Sequence, residues 1–479
     1  MTDNLEYGSL IVGEFTSRRS QDKLALINPA DERAIGSIAC ATQEDIAAAL
    51  QATQQYQSTW ATAPASERGA ILLGAAAKLR ERIEENALQL TREQGKPIAE
   101  ARAEWERAIE TFEWHGSQAE RLNAATVLRT AVGERAISPE PIGVAAAFAP
   151  WNYPAVIIAR KLGAALVAGC AVILKAAEET PSTAVAIAQA LFAAGLPKQA
   201  LQLLLGRPAE ISTKLLASPT VRVMSFTGST PVGKQLARLA ADNLTRTVLE
   251  LGGHSAVIVC ADAEIESAVS AVAAYKYDCS GQSCNAPSRL FVAREVYDDF
   301  VEAFVEISRK LKLGNGEDRT TTMGPMANVK RMEAMRDFAS DALALGGKLA
   351  LGGIRLDRPG YFFRPTVVLD LPPQARLLAE EPFGPILPII KINSIDEGVA
   401  RANDNQFGLA SYVFATDPQV ANSVARRLVA GSVGINQMRG VPPDAAVAGV
   451  KDSGYGYEGG VPGVQAFQNL KLISQTARW

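Results

Sequence analysis

Histidine is scarce: the 479 residues hold two, His115 and His254. A site built from several His ligands is excluded, and a His-based triad has only those two candidates. Cysteine is sparse as well. Cys40, Cys170, Cys260, Cys279 and Cys284 are an odd set, without the short regular spacing of a disulfide scaffold or a zinc ribbon. They point to a reducing compartment, the cytoplasm, with one thiol free to carry chemistry and no metal site. A long apolar run is missing too. The longest, residues 162–174 between Lys161 and Lys175, falls short of the ~20 residues that span a bilayer. The N-terminal MTDNLEYGSLIVGEF has neither a basic start nor an apolar core, so it does not read as a secretory signal. Nor is there an excess of one charge. Lys plus Arg is 48 against 51 Asp plus Glu, a net charge of −3, which weighs against nucleic acid or an anionic membrane as main partner.

What is present is an ordinary globular composition, 48% apolar and 21% charged. At ~150 residues per domain the length suggests roughly three domains, enough chain to bury several cores. Residues 43–122 carry helical spacing. From 142 to 251, apolar runs at 142–149, 171–175, 201–206, 221–226 and 247–251 alternate with helix-like segments near 154–168, 182–194, 208–217 and 231–243. That alternation describes a parallel sheet covered on both faces. Ligands in such sheets sit beyond the carboxyl ends of the strands. A second alternating region begins near 255, with strand-like SAVIV, RLFVA, PILPIIKI, SYVFA and SVGIN. Residues 125–137 read as a hairpin around Val132-Gly133. The tail 466–474 reads as a strand without a local partner. Exposed strand edges recruit other chains, so both are expected to make an oligomer contact.

One dinucleotide fingerprint is a decoy. Gly454, Gly456 and Gly459 match GxGxxG, yet no apolar strand directly precedes them and Pro462 follows. They read as a Gly-rich loop. The stretch 226–233 (FTGSTPVG) is the better phosphate site, because it follows a strand and opens a helix whose free N–H groups face an anion.

Three residues carry candidate chemistry. Cys284 lies in a polar loop, GQSC. Glu250 ends an apolar strand, where a carboxylate is costly unless paired or used. Asn152 lies between a strand and a helix in PWNYP. Together they offer a thiol nucleophile, a base that needs no histidine, and an amide donor for an oxyanion.

With those residues in view, the sequence resembles the NAD(P)-dependent aldehyde dehydrogenase superfamily from about residue 20 to the end. The matching blocks are PWNYP (150–154), LKAAEETP (174–181), FTGST (226–230), LELGG (249–253), GQSC (281–284), EEPFGP (380–385) and GVKDSGYGYE (449–458). The resemblance implies an α/β fold: a Rossmann-type parallel-sheet cofactor domain, an α/β catalytic domain and a small β oligomerisation element. The expected bounds are 1–122 with 142–252, then 253–447, and 123–141 with 462–479. It implies that Cys284 is the nucleophile, Glu250 the general base and Asn152 an oxyanion donor. Lys161 and Glu458 match a proton-relay region. Lys175 and Glu178 match residues that hold the adenosine ribose. Trp151, Gly206, Ser229, Val232 and Leu251 match the dinucleotide cleft, and Glu381 and Phe383 match contacts to the nicotinamide half.

The reaction implied is aldehyde to carboxylic acid through a cysteine thiohemiacetal and thioester, with NAD preferred over NADP because Glu178 repels a 2′-phosphate. A homodimer or homotetramer is expected. Arg160 sits where semialdehyde dehydrogenases place an arginine for the substrate carboxylate, so a small semialdehyde such as succinic semialdehyde is the expected substrate. Two departures qualify that. Asp278 stands where that subgroup often has a second arginine, and the substrate loop reads NQMRGVPPDAAVAG, with Arg439 as a replacement cation. Asp278 is expected to point away and leave Arg160 free. A CoA-acylating enzyme is the alternative, but that subgroup lacks a base at the Glu250 position. An inactive structural homologue would have had no reason to keep all three chemical residues.

Overall fold

The computed structural model of the chain describes residues 5–16, 20–131, 133–438 and 440–476. The expected hairpin tip at Val132, and Arg439, lie outside the described residues. Two large sheets dominate. In the first, five parallel strands run in the order Arg246–Glu250, Val221–Thr227, Val144–Phe148, Val172–Lys175, Leu201–Leu204. The apolar runs form these strands because both faces are covered, by helices such as Pro154–Ala168, Pro181–Ala193 and Thr230–Ala241. Pro stands in the first turn of each of these helices, where its fixed φ and missing N–H cost nothing.

Strand order reverses between Val144–Phe148 and Val221–Thr227. At such a switch point the outgoing loops diverge and leave a crevice. The two loops here are 149–153 and 228–229, which carry Asn152 and Ser229.

The second sheet is parallel over Thr366–Leu369, Ile386–Ile392, Arg289–Ala293, Ala256–Val259, Ala410–Phe414 and Ser432–Ile435. The sequence reading missed Thr366–Leu369 and its antiparallel neighbour Lys348–Leu351. Both are four residues long, and at that length periodicity does not tell a strand from a loop.

Two expectations are corrected. The tail is not without a partner. Gln468–Thr476 pairs antiparallel with Gly133–Pro141 across nine residue pairs, and Thr126–Thr130 completes the sheet. A partner more than 300 residues away leaves no local signal. The Gly-rich segment is not a loose loop either. Gly454–Tyr455 is an edge strand antiparallel to Leu249 and Glu250. Gly454 has φ +120°, and a Cβ there would lie 1.8 Å from the Leu249 carbonyl oxygen, so this close approach requires glycine. Among the described residues, no helix is long and apolar enough to cross a membrane.

Candidate active site

The oxyanion-type loop is anchored from below by a buried ion pair. Lys96 lies 2.5 Å from Glu104, both wholly enclosed. Lys96 Nζ also donates to the Asn152 carbonyl at 2.7 Å, and the other Glu104 oxygen accepts the Ala155 N–H at 2.7 Å. One carboxylate therefore fixes both the start of the helix and the lysine under the loop. Asn152 is buried, and its side-chain amide donates to the Gln282 carbonyl at 3.0 Å. That bond couples the loop to the segment bearing Cys284.

This segment leaves the helix Ile265–Tyr277 through a sharp turn. Cys279, Ser280 and Gly281 have φ of +51°, +55° and +75°, a left-handed run costing about 1–2 kcal/mol for each non-glycine residue. Side-chain bonds hold it. Gln282 Nε2 donates to the Cys279 carbonyl at 2.9 Å, and Gln282 Oε1 accepts the Ala327 N–H at 2.9 Å. Cys284 then faces a cleft, and all five cysteines are free thiols. Cys279 is buried and accepts from Gln94 Nε2 at 3.1 Å.

Cys284, Glu250, Glu458 and Arg160 line one cleft with Tyr153, Val156, Ile157, Tyr275 and Asp278. Tyr153, Val156, Ile157 and Arg160 are spaced three or four apart, one face of a helix. Lys161, one position on, turns inward instead. It is fully buried, 3.0 Å from Glu458, and donates to Ser225 Oγ at 2.8 Å. Asn152 and Lys161 thus support the cleft from behind. Glu250 Oε1 is buried without a partner. Burial, reinforced by Glu458, holds the Glu250 carboxyl well above the usual carboxylate range, with Lys161 and Arg160 opposing. Burial also pushes the Cys284 thiol up to about 12, helped by Glu381 and Glu250. At rest this is a protonated thiol beside a basic carboxylate. Both histidines lie in the core, outside the cleft: His115 Nδ1 meets the Thr111 carbonyl at 2.7 Å and His254 Nδ1 meets Ser288 Oγ at 2.9 Å.

The residues expected to hold a dinucleotide fall on several elements. Ser229 caps the helix Thr230–Ala241 without using its side chain, and the first helical turn has no acidic residue. Its open N–H groups suit a phosphate. Val232 on that turn is 44% exposed, and Leu251 is buried against Gly233. Lys175 and Glu178 pair at the end of a strand. Gly206 has φ +122° and packs on Cys40. Trp151 and Phe383 meet edge to face, centroids 5.7 Å apart. Glu381 accepts the Gly253 N–H at 3.1 Å, and burial raises its carboxyl to about 7. An open helix start, a carboxylate paired with Lys175 and an aromatic pair are groups of the kinds that a nicotinamide dinucleotide would need.

Asp278 departs from expectation. It lines the cleft and takes the Tyr153 hydroxyl hydrogen bond. Arg160 is nonetheless not paired with it: Arg160 Nη2 donates to the Val441 carbonyl at 2.6 Å, and Nε is buried without a partner. The phenol beside Asp278 gives it a donor that the sequence reading did not consider. Sequence reasoning also missed Arg107, Tyr275 and Asn285, which line the same cleft. Arg107 lies outside every matching block, on the helix Ile98–Ser117, and only the fold brings it near Cys284.

The sequence pattern of the aldehyde dehydrogenase family matches residues 15–473. A 4-(hydroxymethyl)benzenesulfonate dehydrogenase of Comamonas testosteroni is 42% identical over 98% of this chain and 98% of its own length. The NADP-dependent succinate-semialdehyde dehydrogenase of Escherichia coli is 36% identical over 97% of each chain. The crystal structure of a succinate-semialdehyde dehydrogenase from Burkholderia pseudomallei superposes with a TM-score of 0.95, at 37% identity and 98% coverage of each chain. A thiol and a carboxylate facing one cleft, in a chain matched along nearly its whole length, identify a member of the aldehyde dehydrogenase family, an oxidoreductase that oxidises aldehydes.

Proposed function

We propose that this enzyme oxidises an aldehyde bearing a distal anionic group, such as succinic semialdehyde, to the carboxylic acid with NAD. The observation that carries the reading is Arg160: a guanidinium in the same cleft as Cys284, with its Nε buried and unpartnered. An Arg–carboxylate contact is strong because it is charge-assisted and planar on both sides. Relatives named for succinate semialdehyde and for a benzenesulfonate both act on anionic compounds. Tyr153 and Tyr275 in the cleft walls favour, as a second reading, an aromatic anionic aldehyde.

In this reading Cys284 loses its proton toward the basic carboxylate of Glu250, and the thiolate adds to the aldehyde carbon. The resulting alkoxide is held by the Asn152 amide and the Cys284 backbone N–H, which must compete with the Gln282 carbonyl for that amide. A bound nicotinamide supplies the hydride acceptor. Cys284 is left as a thioester. Glu250 then takes a proton from water, whose oxygen attacks the acyl carbon, and the thiol leaves with the acid released. Lys161 and Glu458 carry the proton away from Glu250. The retained base favours water over CoA as acyl acceptor. The two large sheets and the three-stranded sheet of Gln468–Thr476, Gly133–Pro141 and Thr126–Thr130 support a division into three parts, and the exposed Leu470 and Leu472 (70% and 61%) on that three-stranded sheet support a homodimer or homotetramer.

Wild type should prefer succinic semialdehyde to butanal in kcat/KM, and Arg160→Leu should lose at least tenfold of that preference, a charged contact of about 1.4 kcal/mol or more. A wild-type preference for butanal sinks the anionic reading. For the cofactor, Glu178 can accept from ribose hydroxyls and repels a 2′-phosphate, while its partner Lys175 offsets part of that repulsion. We expect kcat/KM about tenfold higher with NAD than with NADP, the scale of one such contact. Steady-state rates with each cofactor check it, and an NADP preference refutes it.

A further inference from the structure

We infer that Arg107 is the second cation of the aldehyde cleft and that, with Arg160, it grips the distal oxyanion of the substrate. This rests on the anionic reading above and names the residue that completes it. Arg107 comes from the helix Ile98–Ser117, Arg160 from the helix Pro154–Ala168. The two guanidinium groups therefore reach the same cleft from different walls.

Arg107 stands at a junction. The cleft that holds Cys284 adjoins a second cavity lined by Ser270, Ala274, Tyr277 and Leu311, and the two share Arg107, Tyr275, Asp278 and Gly440. An aldehyde entering with its carbonyl toward Cys284 leaves its far end toward that junction.

The guanidinium of Arg107 has no ion pair or hydrogen bond among the described residues, and its Nε is buried. The Tyr153 ring lies 5.7 Å from it. Arg102, on the same helix, shows the ordinary alternative: it is exposed and bonds both Glu84 and Glu106. Carboxylates are near Arg107, yet each is engaged elsewhere. Asp278 takes the Tyr153 hydroxyl, Glu100 takes the Cys279 N–H, Glu104 takes Lys96 and Ala155, and Glu458 takes Lys161. Glu250 bonds neither arginine among the described residues. The cleft thus sets two guanidinium groups, each with a buried unpartnered Nε, among three carboxylates, Asp278, Glu250 and Glu458, none of which bonds either of them among the described residues. Both arginines are half-buried at the cleft, and an anion supplied by the ligand gives each unpartnered guanidinium edge a charge-assisted acceptor. Two forks from separate walls suit an oxyanion with at least two oxygens, a carboxylate or a sulfonate.

The test compares kcat/KM for wild type, Arg107→Leu and Arg160→Leu on succinic semialdehyde, 4-carboxybenzaldehyde and 4-sulfobenzaldehyde, each against butanal or benzaldehyde. We expect the anionic-to-neutral ratio to fall at least tenfold in Arg107→Leu, through KM for the anionic aldehyde. Arg107→Lys keeps the charge without the fork and should fall less. The carboxylate and sulfonate arms show which oxyanion is held. If wild type shows no anionic preference, the reading and the inference fall together. If wild type prefers anions, Arg160→Leu loses the preference and Arg107→Leu keeps it, the reading stands and Arg107 is wrongly assigned. Should Arg107→Leu not fold, competitive inhibition by benzenesulfonate decides with Arg107→Gln: a Ki raised at least tenfold supports the clamp, and an unchanged Ki overturns it.

Discussion

Replacing Cys284 with Ala will leave a protein that binds NAD yet forms no NADH with any aldehyde. The first bond in the proposed sequence joins the Cys284 sulfur to the carbonyl carbon. No other thiol lines the cleft among the described residues. Removing a nucleophile of this kind lowers turnover on the order of 10⁶-fold. Cofactor binding should survive, since Ser229, Glu178 and Trp151 sit on the neighbouring sheet and its loops. Cys279→Ala is the control. That thiol is only five residues away but lies enclosed, accepting from Gln94, so its variant should still turn over. Calorimetric titration with NAD and the NADH absorbance of both variants check the pair. Activity lost in Cys279→Ala and kept in Cys284→Ala would mean that the nucleophile is misassigned.

Glu250→Gln should separate the two halves of the reaction. The amide cannot take a proton from water, while Cys284 can still attack and pass on hydride. Rapid mixing should show a burst of NADH approaching one per site, followed by turnover slowed by ~10²–10⁴, the usual worth of a general base. The pH dependence carries a sign. Burial raises the Glu250 carboxyl, and the base works only when deprotonated. Deacylation in the wild type should therefore quicken as pH rises through that elevated value, and the variant should lack this limb. A steady-state rate equal to wild type would remove Glu250 from the role.

The parts of the fold that were legible share a physical cause. Strand Arg289–Ala293 and helix Ile395–Asn403 fall on the residues expected, because a fully buried strand is a continuous apolar run and a helix on a sheet shows its apolar stripe. Asn152, Glu250 and Cys284 stood out because polar groups at the ends of apolar elements need a reason. The tail was misread because its partner strand, Gly133–Pro141, lies over 300 residues away, and nothing in either segment names the other. Arg107 was invisible for a related reason. On its helix it is one arginine among several, and only the lack of a carboxylate bonded to it, among the described residues, distinguishes it from Arg102. Asp278 shows the limit for charges: its position was noticed, but its effect depends on a phenol at Tyr153 that the spacing did not pair with it.

The Lys161–Glu458 pair also has a consequence for how the protein is made. Its two members are 297 residues apart in the chain. At about 5–20 residues per second, a ribosome takes roughly 15–60 s to travel from one to the other. For that interval the growing chain carries an ammonium group destined for a dry interior without the carboxylate that compensates it. The helix Pro154–Ala168 cannot seat its inner face in the finished manner until then. Emerging chains should thus hold this region open to water or to a chaperone, and aldehyde turnover should appear only after Glu458 has emerged and docked.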